Sequence, residues 1–369
     1  MPVRFADDEN QAATAKLELR LLHHFTSMVS FTFPSSKQGI ILDLWQIHAI
    51  RLGFEFEFLL NAIYAISALH IIRDLPHSPR FYTQDEDSIT MGRLLGLQKP
   101  SLGGVDPKQA HRYYLTLAVS QHREATAKLC AENSNALLLS SVLLSYQALR
   151  LLPEEHEEQA NEYTPPMHWL RMTNGITQLS EASIPLLNGQ HESAAQLLAI
   201  AGGEPNYRDR AALFNPANSE PFLALIDWER FPEADLDDQS KVSYERTLHY
   251  ISGIHRAVTV DRESPRTTFR RLISFGPLIP SHFITLVEQR RPRALVTLAL
   301  FCAMIKAVDD HWVYYGLAER EVYGIQSLTS GGAVGNGMAI VTTATRPQGT
   351  LINGRSVPCQ SKKQKSQFI

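Results

Sequence analysis

The strongest hydrophobic signal in the chain is an apolar run at residues 56–72. Its apolar side chains recur at three- and four-residue steps, and others fill most of the remaining helix surface. A helix that is apolar on every side must be buried on every side. The run is short for a membrane span and is interrupted by Asn61, Ser67 and His70. It therefore predicts a central helix that is surrounded by other helices.

Further helices are predicted before and after this run. Residues 16–33 carry apolar side chains on one face, which indicates an amphipathic entry helix. Asp106-Pro107 and Thr164-Pro165 each place a capping side chain before a proline, the pattern of a helix start. Residues 200–239, rich in prolines, glycines and acids, indicate long loops with one or two short helices. Apolar periodicity predicts helices at residues 136–152, 240–260, 292–308 and 309–328, whereas residues 269–287 carry two proline breaks before another apolar segment.

These patterns predict an all-α protein. We expect a single large irregular helical domain at residues 17–328, built around central apolar helices, because no alternation of strands with helices occurs. Residues 1–16 are expected to form a flexible N-terminus. The glycine- and threonine-rich segment 329–369 is expected to be a disordered or atypical tail. With 369 residues, 44% of them hydrophobic, the chain can form a substantial core.

Composition narrows the classes of function. A net charge of −3 argues against a chain that neutralises many phosphates on its own, so we predict no DNA-binding residues. The three cysteines, Cys130, Cys302 and Cys359, are far apart and lack CxxC spacing, so we interpret them as reduced thiols. The N-terminus carries acids where a signal peptide would be basic and then apolar, which favours a nuclear or cytosolic location.

Candidate catalytic and metal-binding residues are few. Histidines such as His24, His70 and His111 lack metal-ligand spacing, and no HExxH motif occurs, so we predict no metal and no cofactor. We interpret His70 as a core histidine whose ring nitrogens bond to backbone or serine groups. GxSxG, GxxxxGK[ST] and strand-borne GxGxxG motifs are also missing. We therefore predict no catalytic residues and no enzyme activity.

One alternative remains open at Asp309 and Asp310. Adjacent acids in an apolar helical protein could hold magnesium and a diphosphate, which would make the chain a helical enzyme acting on a terpenoid-like substrate. The favoured interpretation is structural: Asp309 stands between two predicted helices, where an acid suits an N-cap, and a second acidic cluster is missing.

Runs of charge have ordinary explanations as well. The acidic stretches at residues 154–162 and 233–238 are interpreted as solvated loops. Basic groups at Arg270-Arg271, at residues 290–293 and at residues 362–365 could serve nuclear import or bind an acidic partner, although such groups are weak signals of location.

Several stretches, taken in order, resemble the C-terminal regulatory domain of fungal binuclear zinc-cluster transcription factors, in particular the sterol uptake control type. The resemblance covers residues 17–328 and depends on degenerate hydrophobic patterns occurring in sequence. They are LELRLLHHFTSMVSFTF at 17–33, Trp45, FLLNAIYAISALH at 58–70, HRYYLTLAVSQHREA from His111, NALLLSSVLLSYQAL from Asn135, His168-Trp169-Leu170 through Gly175, RALVTLALFCAMIKA at 293–307, and then Trp312, Gly316 and Arg320.

The resemblance implies a nuclear transcription regulator that controls a sterol or secondary-metabolite pathway. The family's zinc cluster of six closely spaced cysteines has no counterpart in this sequence, and its tryptophan-rich ending is replaced by the segment after Leu328. We therefore expect the chain to reach DNA only indirectly. Its expected partners are other transcription regulators or a second copy of itself, together with a small apolar effector. A remnant without regulatory activity is a further alternative.

An effector would need a pocket, and we predict its lining from the two central apolar runs. The same side chains are those expected of a plain core, which is the favoured interpretation of the two. The candidate residues are Phe58, Ile63, Ile66, Leu69, His70, Phe301, Met304 and Ile305.

Overall fold

Helices form almost all the regular structure of the described residues. The structure is a computed structural model, and it describes residues 4–34, 39–73, 102–157, 163–187, 194, 209–218, 220–229 and 232–329. No strand occurs in these ranges, so the prediction of an all-α fold is confirmed.

The helices are labelled in chain order. The α-helices are α1 (Arg4–His24), α2 (Ser30–Thr32), α3 (Gly39–Asp43), α4 (Ala49–Glu55), α5 (Glu57–Arg73), α6 (Pro107–Thr126), α7 (Ala131–Glu157), α8 (Met167–Ser183), α9 (Arg210–Leu213), α10 (Asp238–Thr259), α11 (Pro265–Ile273), α12 (Phe275–Leu278), α13 (Ser281–Glu288), α14 (Pro292–Met304) and α15 (Leu317–Thr329). Turns of 3₁₀-helix occupy Ile184–Leu187, Pro216–Asn218, Glu220–Leu225 and Ile305–Val308, and turns of π-helix occupy Phe25–Val29 and Leu44–His48.

The predicted central helix is α5, and it is buried on nearly every side. It packs mainly against α6 and also against α7, α4 and α1. Leu59, Ile63 and Ile66 are fully buried in the main core, whereas Tyr64 and Ala68 belong to a smaller core shared with α1 and α6. The polar residues that interrupt the run are accommodated locally. Ser67, for example, donates its hydroxyl to the carbonyl of Ile63 at 2.7 Å.

Local capping explains where several helices begin. The side chain of Asp106 accepts a hydrogen bond from the backbone N–H two residues further on, and Pro107 is the first residue of α6, as predicted. Pro265 and Pro292 open α11 and α14 in the same way, since a first helical residue has no partner for its N–H in any case.

The predicted start of α8 is wrong. The helix begins at Met167, and Pro166 occupies the N-cap without a side-chain hydrogen bond. Because a residue that precedes proline is disfavoured in helical geometry, Pro166 keeps Pro165 out of the helix. The Thr164-Pro165 pair therefore lies ahead of the helix instead of capping it.

Helix α7 is longer than predicted at both ends. It begins at Ala131, and Asn133 in its first turn accepts from the N–H of Cys130 at 2.9 Å, a reciprocal capping contact. At the other end α7 continues to Glu157, so the first acids of the run at 154–162 are helical and their interpretation as a loop is wrong.

Two turns of π-helix meet where α1 and α2 pass the segment formed by α3 and α4. The side chain of Gln46, in the second turn, donates to the carbonyl of Thr26 at 2.6 Å and to the hydroxyl of Ser30 at 3.0 Å. A π-helical turn leaves backbone carbonyls poorly paired, and this amide satisfies one of them. The contact fixes the two segments against each other.

Several predictions concern residues outside the described ranges. They include most of the predicted tail at 329–369 and part of the loop region at 200–239. The domain boundaries at residues 16 and 328 also stay predictions. Within the described part of the chain, none of the helices is both long enough and apolar enough to cross a bilayer.

Candidate ligand-binding cavity

A cavity of about 450 Å³ lies between the end of the entry helix, α3 with its π-helical turn, α7, α8 and the α11–α12 corner. Its lining is mainly apolar, and its charged side chains are the exposed Glu181 and Arg210 and the buried Arg270. The lining residues are Phe33, Pro34, Ile41, Trp45, Leu138, Val142, Ser145, Tyr146, Ile176, Thr177, Ser180, Glu181, Ile184, Arg210, Arg270, Ile273, Ser274, Pro277 and Leu278.

An aromatic cluster forms one wall of this cavity. Phe33 follows the last turn of α2 in extended geometry, which turns its ring away from the helix and into the core. The ring centroid of Phe33 lies 4.6 Å from that of Trp45 and 5.3 Å from that of Tyr146. All three side chains are buried, so the wall is rigid and apolar.

The opposite wall is formed by α8 and the corner between α11 and α12. Thr177 donates its hydroxyl to the carbonyl of Pro277 at 2.5 Å, which ties the two elements together. Gly276 lies so close to Thr173 that an added Cβ would stand 1.9 Å from its hydroxyl oxygen. A glycine is therefore required for this close approach of α12 to α8.

The polar groups of the cavity lie both within its helices and at its rim. Ser145 donates to the carbonyl of Val142 within its own helix. Glu181 and Arg210 are exposed at the rim, and Ile184 beside them exposes most of its side chain. The described lining contains no histidine, cysteine or lysine. This arrangement can hold an apolar molecule.

The eight residues predicted to line a pocket are all buried, and they lie elsewhere. Phe301 stacks on Phe275 with ring centroids 3.8 Å apart and faces Trp169 at 5.7 Å. Seven of the eight belong to the main core, and His70 is a fully buried polar residue next to it. The cavity lining includes none of them. That they line an effector pocket stays a prediction.

His70 belongs to a buried cluster of histidine and tryptophan side chains. Its Nδ1 lies 3.0 Å from Nε2 of His24, and its ring meets the edge of Trp312 with centroids 5.0 Å apart. The indole N–H of Trp312 donates to the hydroxyl of Thr32 at 3.1 Å. The cluster therefore joins α1, α2 and α5 to the turns after α14.

Burial keeps the histidines of this cluster neutral. Desolvation lowers the pKa of His24 to about 4 and that of His311 to about 3, and it lowers the pKa of His70 well below 6.5. His311 stands between the carbonyl of Thr32, 3.1 Å from Nε2, and the N–H of Val313, 3.2 Å from Nδ1. One ring nitrogen thus donates and the other accepts, as in a neutral ring. Among the described residues, no three His, Cys, Asp or Glu side chains converge in a way that could hold a metal ion.

Asp309 does not cap a helix. Residues 309–316 form turns, and α15 begins only at Leu317, so the prediction of helix there is wrong. Asp309 accepts from the N–H of Gly316 at 2.9 Å and from the ammonium of Lys306 at 2.7 Å. Gly316 has a φ of +72°, a conformation that glycine adopts readily. The carboxylate therefore closes a tight turn.

Two of the basic groups contain structural side chains. Arg271 forms a two-pronged ion pair with Glu263, and Arg270 is buried. Arg293 is buried as well, with its guanidinium 4.6 Å above the ring of Trp228 and 3.4 Å from the carboxylate of Glu233. These three side chains stabilise the fold, whereas Arg290 of the same group is exposed, so a role of that group in import or partner binding stays a prediction. The group at residues 362–365 lies outside the described residues.

The sequence contains few features that identify the cavity residues. Phe33, Trp45 and Tyr146 come from three separate segments, and each has the pattern of an ordinary core residue in its own helix. The nearest signal was the pair of prolines at residues 277 and 280, the two breaks within residues 269–287. Pro277 lies in α12 and lines the cavity, and Pro280 is the N-cap of α13.

The geometry thus defines an all-α protein with a mainly apolar cavity, and comparison with known proteins identifies its relatives. No family model matches the chain. The Zn(2)-C6 fungal-type transcription factor afumD of Aspergillus fumigatus is 26% identical over 305 residues, which cover 83% of this chain and 69% of that protein. A Zn(2)-C6 fungal-type transcription factor of Gibberella zeae is 24% identical over 329 residues, 86% of this chain and 59% of that protein.

A third relative is Sterol uptake control protein 2 of Candida albicans, 22% identical over 368 residues, which cover 91% of this chain and 46% of that protein. The chain is therefore similar, over most of its length, to fungal transcription factors that are longer than the region it matches. The predicted resemblance and the prediction of a transcription regulator of fungal type are confirmed, and the enzyme alternative is not favoured.

Proposed function

We propose that this chain is an effector-responsive regulator that binds a small apolar molecule in the cavity between α3, α7, α8 and the α11–α12 corner. The observation that carries the proposal is the cavity itself. Its volume of about 450 Å³ and its mainly apolar lining match the ligand sites of proteins, which typically span ~300–1,000 Å³.

The chemistry of the lining indicates the class of effector. Trp45, Tyr146 and Ile176 offer flat and branched apolar surface, whereas Glu181 and Arg210 at the rim remain in contact with water. Such a site suits a rigid apolar body with a polar end. A sterol or an apolar secondary metabolite has this character, and one relative is named for the control of sterol uptake. The controlled pathway is proposed on the same grounds.

Binding in the cavity could change the arrangement of the helices that surround it, and such a change would regulate the protein. Its walls come from elements that are distant in sequence and that meet through few direct bonds, such as Thr177 to Pro277. A molecule that fills the space favours the arrangement in which the walls are closed around it, and so shifts the population of that arrangement. We propose that the regulated step takes place in the nucleus, with other transcription regulators as partners, and that DNA is reached through them.

Binding can be tested with Nile red, an apolar fluorophore, and with a fluorescent sterol. Val142→Trp, on α7, should fill the cavity and weaken binding of both probes at least tenfold. Val119→Trp, on the exposed face of α6, adds the same bulk outside the cavity and should leave binding unchanged. Equal binding by the two variants would contradict the proposed cavity.

Regulation needs a separate test, because binding alone does not change transcription. The full chain, fused to an unrelated DNA-binding domain, should drive a reporter whose output changes when cellular sterols are depleted. The Val142→Trp fusion should lose this response while the Val119→Trp fusion keeps it. A reporter that stays silent with every fusion would refute the regulatory role, and a sterol-independent response would exclude sterols as the effector.

A further inference from the structure

Arg270 brings a buried positive charge to the wall of the mainly apolar cavity. It exposes only 5% of its surface and lines the cavity from the last turn of α11. The other charged lining residues, Glu181 and Arg210, are both exposed to solvent. Water and salt screen exposed charges, whereas they screen buried charges much less. Arg270 therefore has the strongest effect on a charged group that enters the cavity.

A hydroxyl group lies next to this arginine on the same side of the helix. Ser274 follows Arg270 by four residues, a spacing that makes two side chains neighbours on a helix surface. The backbone N–H of Ser274 donates to the carbonyl of Arg270 at 3.3 Å, and Ser274 also lines the cavity. The corner between α11 and α12 therefore offers a guanidinium and a hydroxyl, two kinds of hydrogen-bond donor, side by side.

This pair of donors suits a carboxylate. A guanidinium has five N–H donors in one plane, and two of them can donate in parallel to the two oxygens of a carboxylate. Arg270 already interacts with another group of the protein, and five donors allow it a second partner. A neutral alcohol offers one oxygen and no charge. A carboxylate therefore gains more free energy beside Arg270 than a neutral polar group does.

The rest of the lining indicates that the remainder of the bound molecule is apolar. The buried rings of Phe33, Trp45 and Tyr146 form the wall opposite the α11–α12 corner. Burial of a charge against such a wall is unfavourable unless the charge meets an opposite one. The lining thus accepts one anionic group, next to Arg270, and an apolar body between that group and the aromatic wall.

We propose that the effector is an apolar molecule with a single carboxylate, and that Arg270 and the hydroxyl of Ser274 bind that carboxylate. The inference rests on the proposed function, because it concerns the same cavity, and it specifies the polar end of the effector as an anion. Arg270 is then the residue that distinguishes an apolar acid from a neutral molecule of the same shape.

Pairs of ligands that differ only in charge test this inference on the unmodified full chain. Dehydroabietic acid and its methyl ester share a rigid fused-ring body, and oleic acid and its methyl ester share a flexible chain. Each compound is titrated against bound Nile red, and the loss of fluorescence measures displacement. The tighter of the two acids shows which kind of body the cavity holds.

We expect the acid of the better-fitting pair to bind at least about tenfold more tightly than its ester, the scale of one hydrogen bond to a charged group. Esters that bind as tightly as the acids would overturn this inference and leave the cavity standing as the binding site. A wild-type chain that binds neither Nile red nor any of the four compounds would overturn the proposed function itself.

Substitution of Arg270 tests its assignment. Arg270→Gln removes the charge and should weaken binding of the acid about tenfold, while binding of the ester changes less than about threefold. Arg210→Gln is the matched control, because Arg210 lines the same cavity but is exposed, and it should change acid binding less than about threefold. Equal loss of acid and ester in Arg270→Gln, or equal loss of acid in both variants, would refute the assignment.

Arg270→Lys keeps the test decisive if glutamine at this buried position prevents folding. Lysine retains the charge but lacks the two parallel donors, so the preference for acid over ester should fall below that of the wild type without disappearing. Circular dichroism and the melting temperature establish that the variant is folded. A folded Arg270→Lys protein with the full wild-type preference would contradict the two-donor contact.

Discussion

Nε2 of His24 and Nδ1 of His70 lie 3.0 Å apart in the buried joint between the first helix and the central helix. Such a hydrogen bond needs one nitrogen that carries a proton and one that does not, so the two rings cannot both be cations. Protonation of this cluster therefore competes with folding.

We predict that the free energy of unfolding decreases as the pH falls from about 6.5 to about 4. The pKa of His24 and that of His111 are each lowered to about 4 by burial, so in this range the unfolded chain binds protons that the folded chain does not. Each such histidine should lower the free energy of unfolding by roughly 3 kcal/mol over this pH range. Urea unfolding at a series of pH values measures the effect.

The matched variants are His24→Gln and His23→Gln. Glutamine at position 24 keeps a hydrogen-bonding group next to His70 but does not titrate, so the pH dependence should become shallower. His23 is exposed and contributes only the smaller, second cause of the lowered pKa of His24, so its replacement should change the slope much less than that of His24. Identical slopes for all three proteins would contradict the role of the joint.

We predict opposite effects of alanine at two helical glycines. An added Cβ at Gly324 would stand 2.1 Å from the ring of Tyr163, so Gly324→Ala should destabilise the protein by about 1–3 kcal/mol. An added Cβ at Gly175 meets no atom within 4 Å, and Gly175→Ala should stabilise by about 0.5–1 kcal/mol. Thermal melting of both variants beside the wild type checks the two signs.

We predict that Tyr163→Phe destabilises the protein by about 1–3 kcal/mol, and by more at high pH than at low pH. The Tyr163 hydroxyl donates at 2.5 Å to the carboxylate of Glu321, which is buried. Burial raises the pKa of Glu321, and loss of this donor should raise that pKa further. A neutral carboxyl group gains less from the Tyr163 hydroxyl than a carboxylate does. The loss of stability should therefore become smaller as the pH falls and Glu321 takes up a proton. A cost independent of pH would count against a charged Glu321.

We predict that Arg293→Lys is destabilising by at least about 2 kcal/mol, although the charge is kept. Arg293 lies flat over Trp228 and donates to the carbonyl of Leu225 and to Glu233. Lysine cannot make these planar contacts together. Arg112→Lys, at an exposed position on α6, should change the free energy of unfolding by less than about 0.5 kcal/mol. Equal effects at both positions would contradict the structural role of Arg293.

We predict that replacing both Asp309 and Asp310 by asparagine changes stability by no more than about 1 kcal/mol and leaves the reporter response intact. Asparagine keeps the side-chain oxygen that accepts from Gly316 and loses only the charge beside Lys306. Asp309→Ala, which removes the acceptor, should cost more. Loss of a metabolite with unchanged pathway transcripts would instead support the enzyme alternative.

The elements of this fold were largely readable from local patterns. The central helix, the starts at Pro107 and Pro292, and the all-α class depend on contacts within three or four residues along the chain, and the sequence displays those directly. The incorrect helix predictions also have local causes. Residues 309–316 carry an apolar period, but the hydrogen bond from Gly316 to Asp309 closes a turn there instead.

The placement of the site was decided by tertiary structure. A hydrophobic period shows which side of a helix is buried, but it does not show what that side meets or whether the space is filled. Phe33, Trp45 and Tyr146 enclose a cavity because three distant segments leave volume between them, whereas Phe301 stacks closely on Phe275 and leaves none. Whether such a space is filled depends on side chains contributed by distant parts of the chain. The sequence of one segment alone therefore does not predict it.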